Sequence, residues 1–489
     1  MVLNMLSANH QNLSEALLNC AKVLKSKLKM DKHGCGDELI KSTEELVSKG
    51  DWTAALPESL KAVGIVLHVS TEKIVDADFR PDQTIMDEVC RTAQWAKGIY
   101  KDEDNSIGQA LALCVVADCF LIRREGKRGS LVAEKAADIF QKAGDKRMQA
   151  IALQTKANGL MIRALVCFKT YAAYVLCASR DTFLDQAKHD LELGLETVEQ
   201  AVKIWDNLGE ERFQADSLRR QAKFHALREE SDLSKNAARE AGYIYQDLED
   251  KDGELDTMMV LVQGAFRLDD PDEALQTAQD MMAIVEGSGS AWEAEVLLVI
   301  AKCNLQMSQP NRCRDHCNAA TTILKSLPQE EAKENMATAD VMQIRAYAMA
   351  DDSVMDEALK FCEEALDSMK NMDYQPGLAQ VMTASAGMKG EKMLRDMQKR
   401  HDNQEQPMYT AKPGELEDVL KQTDVAAQMF VDLEDRDGEE EAVELHNSIL
   451  QRAEAFFEMT TKDLEPDVKT YVLDKNRKLI EIKKSWLPK

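Results

Sequence analysis

Cys313, His316 and Cys317 have the side-chain types and the close spacing of zinc ligands. A structural zinc site needs four ligands, which proteins commonly supply as two separate Cys or His pairs. The sequence offers no second pair near the first. His316 and Cys317 also fall on the apolar stripe of a predicted helix that is described below. We therefore interpret these residues as packing residues and predict no metal site.

A second possible ion site is the acidic segment of residues 247–254 (DLEDKDGE), whose middle resembles a calcium-binding loop. When Gly253 is aligned with the glycine of such a loop, Leu248 and Met259 take the first and last ligand positions, which need oxygen ligands. Residues 432–439 (DLEDRDGE) differ at one residue and also place a leucine at the first position. A turn between two helices explains both segments better, because glycine ends helices and acidic residues favour the next helix start.

No glycine-rich phosphate-binding motif occurs in the chain, and its eight histidines form no recognisable pairing of a nucleophile with a base. We therefore predict no catalytic residue, no cofactor and no enzymatic activity. Catalytic triads form in space rather than in sequence, so an enzymatic or regulatory domain within a helical array stays open as an alternative.

One basic cluster stands out in a chain whose net charge is −25, and it consists of Arg219, Arg220, Lys223 and Arg228. We predict that this cluster contacts an acidic peptide, because opposite charges favour such contacts. The alternative is a solvated helix face whose charges pair with Glu210, Glu211 or Glu229.

Aromatic residues mark two further candidates for partner binding. Residues 168–177 include Tyr171 and Tyr174, and aromatic residues are enriched where proteins associate. The alternative for this stretch is an extended helix that packs on its own array. Residues 469–489 carry a net charge of +5 and include Trp486. They are interpreted either as a helix that caps the last repeat or as a docking tail for an acidic partner or an anionic membrane surface.

A helical pattern that recurs eight times would position these residues. In each copy, mainly apolar residues follow one another at steps of 1, 3, 3, 1 and 3, which draws one stripe along an α-helix. The copies start at residues 92, 132, 197, 237, 274, 316, 358 and 422. The third position is small and the fifth is bulky, so the bulky side chain fills the space beside the small one. These pairs are Ala96 with Tyr100, Ala136 with Phe140, Ala201 with Trp205, Ala241 with Tyr245, Ala278 with Met282, Ala320 with Leu324, Cys362 with Leu366, and Ala426 with Phe430.

We call the helices that carry this pattern template helices, and the helices predicted between them intervening helices. Intervening helices are predicted over residues 147–164, 214–228, 291–307 and 336–349. Most template starts are about 40 residues apart, and two gaps are near 64, which indicates two insertions. An earlier copy is indicated at residues 55–66.

The Ala-x3-large motif, as in Ala136 with Phe140 or Ala201 with Trp205, resembles the tetratricopeptide (TPR) repeat. The spacing near 40 residues is similar to the longer repeats of kinesin light chain and Pins-type adaptors, and the likeness covers about residues 41–458. The Trp-x2-Leu-Gly-x2-Tyr start of that family is not readable in this chain. The resemblance implies an all-α solenoid of antiparallel helix pairs, a TPR-like right-handed superhelix whose inner groove binds peptides or protein segments.

Composition agrees with a helical array, because the 489 residues include only 22 glycines and 10 prolines. The negative charge argues against nonspecific nucleic-acid binding, and no apolar stretch has the length of a membrane span. Eleven cysteines lying mostly among apolar residues indicate a reducing compartment, and we predict the cytoplasm.

We predict an N-terminal helical segment at residues 1–40, followed by a TPR-like array at 41–388 with an insertion near 167–190. A polar loop at 389–416, a last repeat at 417–460 and a basic capping helix or tail at 461–489 complete the chain. The predicted function is a non-enzymatic scaffold or adaptor that binds one or more proteins or peptides. The alternatives are self-association or a structural subunit of a large assembly.

Overall fold

The computed structural model describes residues 2–28, 35–76, 83–173, 180–350, 352–402, 415–433 and 435–460. These residues form nineteen α-helices and one short 3-10 helix, Asp352–Val354, and none of them lies in a strand. The chain divides into two compact units, unit 1 at Met1–Leu268 and unit 2 at Asp269–Lys489. The prediction of an all-α solenoid is confirmed.

Unit 1 contains α1 (Val2–Leu28), α2 (Cys35–Lys49), α3 (Trp52–Asp76), α4 (Gln83–Asp102), α5 (Ser106–Ile122), α6 (Gly126–Ala143), α7 (Lys146–Ala173), α8 (Arg180–Leu208), α9 (Glu211–Leu227), α10 (Ser231–Asp247) and α11 (Lys251–Arg267). Unit 2 contains α12 (Pro271–Val285), α13 (Ala291–Gln306), α14 (Pro310–Leu324), α15 (Gln329–Met349), α16 (Met355–Asn371), α17 (Gln375–Asp402), α18 (Glu415–Asp432) and α19 (Arg436–Thr460). The template helices are the even-numbered ones from α4 to α18, and all eight form where the pattern predicts them.

From α4 onward, consecutive helices pack against each other within each unit, as expected for antiparallel pairs joined by short connections. Intervening helices also contact one another across the pairs, as α5 does with α7 and α9 with α11 in unit 1, and α15 with α17 in unit 2. An intervening helix therefore contacts template helices on one side and the intervening helix of a neighbouring pair on another side. This is the arrangement of a helical solenoid.

The turns after three aromatic template positions share one construction. The Tyr245 carbonyl accepts a hydrogen bond from the Asp250 N–H over 2.8 Å, and the Asp250 side chain caps α11 by accepting from the Gly253 N–H over 3.1 Å. A Cβ on Gly253 would lie 2.3 Å from the Tyr245 ring, so the aromatic ring needs glycine at this position. The same relation joins Tyr100 to Gly108 and Phe430 to Gly438. The two acidic segments that resemble calcium loops are these turns.

The small template position is fully buried in all eight copies, at Ala96, Ala136, Ala201, Ala241, Ala278, Ala320, Cys362 and Ala426. The bulky position is buried in six copies, whereas Met282 and Leu366 are half-buried. In α12 and α16 the buried residue is the preceding one, Met281 or Ala365. Because a helical turn takes 3.6 residues, a small rotation of the helix exchanges these adjacent positions at the contact.

The described residues of the two predicted insertions are helical. The first lengthens α7 and α8 at their junction, since α7 continues to Ala173 and α8 begins at Arg180. The predicted loop at 389–416 needs correction for residues 389–402 and 415–416, which belong to α17 and α18. The stretch is helical because Met393, Leu394 and Met397 are buried in an apolar cluster with residues of α18 and α19. Residues 403–414 and the tail at 461–489 lie outside the described residues. No helix in the described part of the chain has the length and apolar character of a membrane span.

Candidate interaction site

Arg219 of the predicted basic cluster lies at the contact between α9 and α11 in unit 1. Its side chain is buried, with Nη1 3.2 Å from Asp256 Oδ2 and Nη2 3.6 Å from Asp216 Oδ1. The Tyr245 hydroxyl donates to Asp216 Oδ1 over 2.5 Å. The guanidinium therefore helps to join three helices of the array.

Arg220 is also buried, and it faces the opposite direction, toward α7 and α8. The Gln154 amide is oriented so that its Oε1 accepts a hydrogen bond from Arg220 Nη1 at 3.1 Å and another from Trp205 Nε1 at 3.3 Å. Ser217 Oγ lies 2.6 Å from the same Gln154 side chain. Burial lowers the pKa of Arg220 to about 10, because a weakly polar interior disfavours the charge.

The remaining two basic residues differ from these. Lys223 is half-buried, and Arg228 is exposed with Nη2 3.0 Å from Glu230 Oε1. The prediction that all four residues form one basic surface is therefore corrected, since the two neighbouring arginines are internal contacts. The acidic groups that pair with the cluster include Asp216, Asp256 and Glu230.

The intervening helices of unit 1 are closed to solvent over long stretches. No residue from 110 to 122 in α5 or from 148 to 165 in α7 is exposed. Buried polar groups there meet one another, as where Thr155 donates to Asp118 Oδ1 over 3.3 Å. Burial raises the pKa of Asp118 well above its ordinary value. This interior face joins helices and leaves little surface for a partner.

Unit 2 presents a different face on its intervening helices. One stripe of α15 is exposed along its length, at Glu334, Thr338, Arg345 and Met349. Arg345 forms an ion pair with Glu441 of α19, and α17 packs against both α15 and α19. The ion pair therefore joins two helices that both pack on α17, whose half-buried residues include Ala384 and Gly387.

Lys302 of α13 extends this row on the side away from Glu441. Its side chain keeps solvent contact, and partial desolvation together with the positive charge of Arg345 lowers its pKa. We call Lys302, Arg345 and Glu441 the unit 2 row. The row has two cations at one side and one carboxylate at the other.

The unit 2 row was not predicted from the sequence, although the repeat register contains a signal for it. Lys302 precedes the next template start, residue 316, by fourteen residues, and Lys223 in unit 1 precedes residue 237 by the same number. Arg345 precedes its template start by thirteen residues. Three repeats therefore carry a basic residue on a similar side of their intervening helix. The burial of that side determines whether the basic residue reaches solvent.

The other candidate residues from the sequence add little to a binding surface. Tyr171 is half-buried near the end of α7, whereas Tyr174 and Trp486 lie outside the described residues. Phe168 packs against the apolar cluster between α7 and α8, as the extended-helix alternative predicts. Cys313 and Cys317 are fully buried, and the described residues contain no group of three or more His, Cys, Asp or Glu side chains arranged for a metal ion.

Solved structures similar to this chain are helical-repeat proteins, with low identity. A Rap protein complexed with competence and sporulation factor is 12% identical, with a TM-score of 0.37 over 81% of this chain and 98% of that chain. A signal transduction ATPase from Pyrococcus horikoshii with a tetratricopeptide repeat sensor is 12% identical, with a TM-score of 0.34 over 91% and 73%. A circular tandem repeat protein is 11% identical, with a TM-score of 0.21 over 94% and 99%. No family model and no curated protein matches the chain.

Proposed function

We propose that this chain is a non-enzymatic, TPR-like scaffold or adaptor of a reducing, cytoplasmic compartment, and that unit 2 binds a segment of a partner protein across the unit 2 row. The observation that carries the proposal is the exposed pairing of Arg345 with Glu441. Exposed ion pairs contribute little to stability, so the two charges can exchange partners at low cost.

The row also suggests how such a segment would be oriented. A carboxylate of the partner would lie against Lys302 and Arg345 in place of Glu441, and a basic residue of the partner would then lie near Glu441. Charges placed in this way give direction and specificity to binding more than affinity.

Selection of peptides from a displayed random library on the purified full-length chain would test this proposal. We expect enriched peptides whose affinity falls at least about tenfold in Arg345→Glu, since a reversed charge would repel the partner carboxylate. Lys360→Glu is the matched control, because Lys360 is an exposed cation of template helix α16 that pairs only with a neighbour on its own helix.

Two results would contradict the proposal. One is the absence of any peptide that binds above background. The other is a set of peptides that bind wild type, Arg345→Glu and Lys360→Glu equally, which would move the binding surface away from the row. Robust turnover of a small molecule by the isolated chain would contradict the non-enzymatic part.

A structural subunit of a larger assembly is a second candidate, favoured by exposed aromatic residues on template helices. Trp95 of α4 is 54% exposed and Tyr243 of α10 is 67% exposed. Large apolar side chains on a surface often mark contacts with other proteins. This candidate predicts that the isolated chain associates or precipitates, whereas a stable monomer at high concentration would argue against it.

A further inference from the structure

Two cysteine residues face each other across the antiparallel pair of α4 and α5. Near the connecting turn, the Tyr100 ring covers Gly108, and at the far end Arg123 forms an ion pair with Asp87. Between these two contacts, the same register places Cys90 opposite Cys119, and the two thiols lie close enough to shift each other's pKa. Both are free thiols.

The surroundings of the two sulfur atoms differ. The Cys119 thiol donates to Cys90, and this hydrogen bond, helped by Arg123, lowers the pKa of Cys90 to about 7 against the opposing effects of burial, Asp87 and Glu125. The pKa of Cys119 is raised by its role as the donor and by burial. The Gln94 amide also donates to Cys90 Sγ over 3.5 Å. Cys90 is therefore the better nucleophile of the two.

A second thiol pair in the chain provides the comparison. Cys313 and Cys317 lie one turn apart within α14 and also shift each other's pKa, but both are 0% exposed. Cys90 is 6% exposed, whereas its partner Cys119 is 0% exposed. Of these two pairs, the one between α4 and α5 therefore includes a thiol residue with residual exposure, and the one in α14 does not.

We propose that Cys90 and Cys119 form a redox modification site, at which a hydroperoxide converts the two thiols to a disulfide that links α4 to α5. The Cys90 thiolate attacks one peroxide oxygen, the O–O bond breaks, and the leaving oxygen takes a proton to give water or an alcohol. The Cys119 sulfur then attacks the resulting Cys90 sulfenic acid. The S–O bond breaks, the S–S bond forms, and hydroxide leaves with the Cys119 proton as water.

The electrons balance in this sequence. Two thiols lose one electron each, and the hydroperoxide gains both as its O–O bond is broken. The bond would close residues 90–119 into a loop and restrict the unfolded chain, which stabilises the helix pair if the native geometry is kept. A dithiol reductant would return the pair to its reduced form by thiol–disulfide exchange.

Hydrogen peroxide treatment of the reduced, full-length chain tests the proposal. After free thiols are alkylated, tryptic digestion and mass spectrometry would identify a cross-linked pair of peptides that contain Cys90 and Cys119. Cys114 lies in the same peptide as Cys119, so Cys114→Ser is the matched control and should keep the cross-link. In Cys119→Ser we expect the cross-link to vanish and a dimedone adduct to appear on Cys90.

Three results would overturn the proposal. The first is a cross-link between Cys313 and Cys317 that appears before the one at Cys90. The second is a cross-link that is lost in Cys114→Ser, which would assign the partner thiol to Cys114. The third is full alkylation of Cys90 and Cys119 after peroxide concentrations that oxidise exposed methionines. Circular dichroism of each variant before treatment would show that its helices are intact.

Discussion

Unit 1 and unit 2 follow the same repeat pattern, but α15 of unit 2 has an exposed face that α5 and α7 of unit 1 lack. In unit 1, α5 and α7 have long stretches without an exposed residue, and buried polar side chains satisfy one another there. In unit 2, α15 exposes a full stripe that includes Arg345. Helices that follow the same repeat pattern can therefore have either an internal face or a face that is open to a partner.

The comparison extends to the bulky template position. Unit 1 has aromatic residues in all four of its copies, Tyr100, Phe140, Trp205 and Tyr245, and all are buried. In unit 2 two of four copies are half-buried, at Met282 and Leu366. Large rings fill the space between helices in unit 1, which leaves less room for rotation than the flexible side chains of unit 2.

The largest predicted difference between the units comes from truncation at this position. Trp205→Ala should lower the free energy of unfolding of unit 1 by about 3–5 kcal/mol, because it removes a fully buried ring that stacks on Phe213 at 4.7 Å between ring centroids. Leu366→Ala should cost unit 2 about 1–2 kcal/mol, since part of that side chain is already in water. Hydrogen exchange measured peptide by peptide would report the stability of each unit separately. If the two substitutions lowered the free energy of unfolding equally, the proposed difference in packing would be wrong.

A smaller difference is expected for charge reversal. Arg219→Glu should destabilise unit 1 by about 3 kcal/mol, because it places a carboxylate beside Asp216 and Asp256 in a buried contact. Arg345→Glu should change the stability of unit 2 by less than about 1 kcal/mol, as the exposed pair is solvated on both sides.

Denaturant unfolding followed by exchange mass spectrometry would compare these two variants. A strongly destabilised Arg345→Glu would show that the unit 2 row holds the fold together, which would weaken its assignment as a binding surface. A stable Arg219→Glu would return that residue to the predicted partner-binding cluster.

The sequence predicted the template helices well because their signal is periodic and local. Ala201 and Trp205 belong to one helix turn, and the same pair of sizes recurs at the same step in every copy. Exposure of charged residues was harder to predict, since the buried Arg219 and Arg220 and the exposed Arg345 are chemically alike. What separates them is the position of Asp256, Gln154 and Glu441 on other helices, which no local pattern encodes.

The continuation of α17 shows the same limit in another way. Polar composition suggested a loop at residues 389–402, but Glu391 accepts charge-assisted contacts from Arg395 on its own helix and from Arg452 of α19. These ion pairs lower the pKa of Glu391 against the effect of partial burial. The helix continues because Met393, Leu394 and Met397 pack with apolar residues of α18 and α19, and those partners lie far along the chain.

The smallest of the predicted effects concerns buried carboxyl groups and pH. In unit 1, Asp190 is fully buried and pairs with Arg163, whereas Asp340 of unit 2 is buried close to Cys317 and faces Lys325 at longer range. Burial raises the pKa of Asp340 to about 7 from an ordinary 3.8. Between these values the folded chain holds a proton that the unfolded chain releases, so the free energy of unfolding falls as pH rises and levels off above about 7.

Across pH 5 to 7 this loss should be about 2 kcal/mol in unit 2, and Asp340→Asn should remove it because the amide does not titrate. Exchange of α15 peptides at several pH values, corrected for the intrinsic exchange rate, would measure the slope. Peptides of α7 and α8 provide the internal control, since a substitution at Asp340 leaves the Arg163 and Asp190 pair intact. If the stability of α15 still fell with rising pH in Asp340→Asn, the pH dependence would belong to another group. The two units would then not differ in the titration of their buried aspartates.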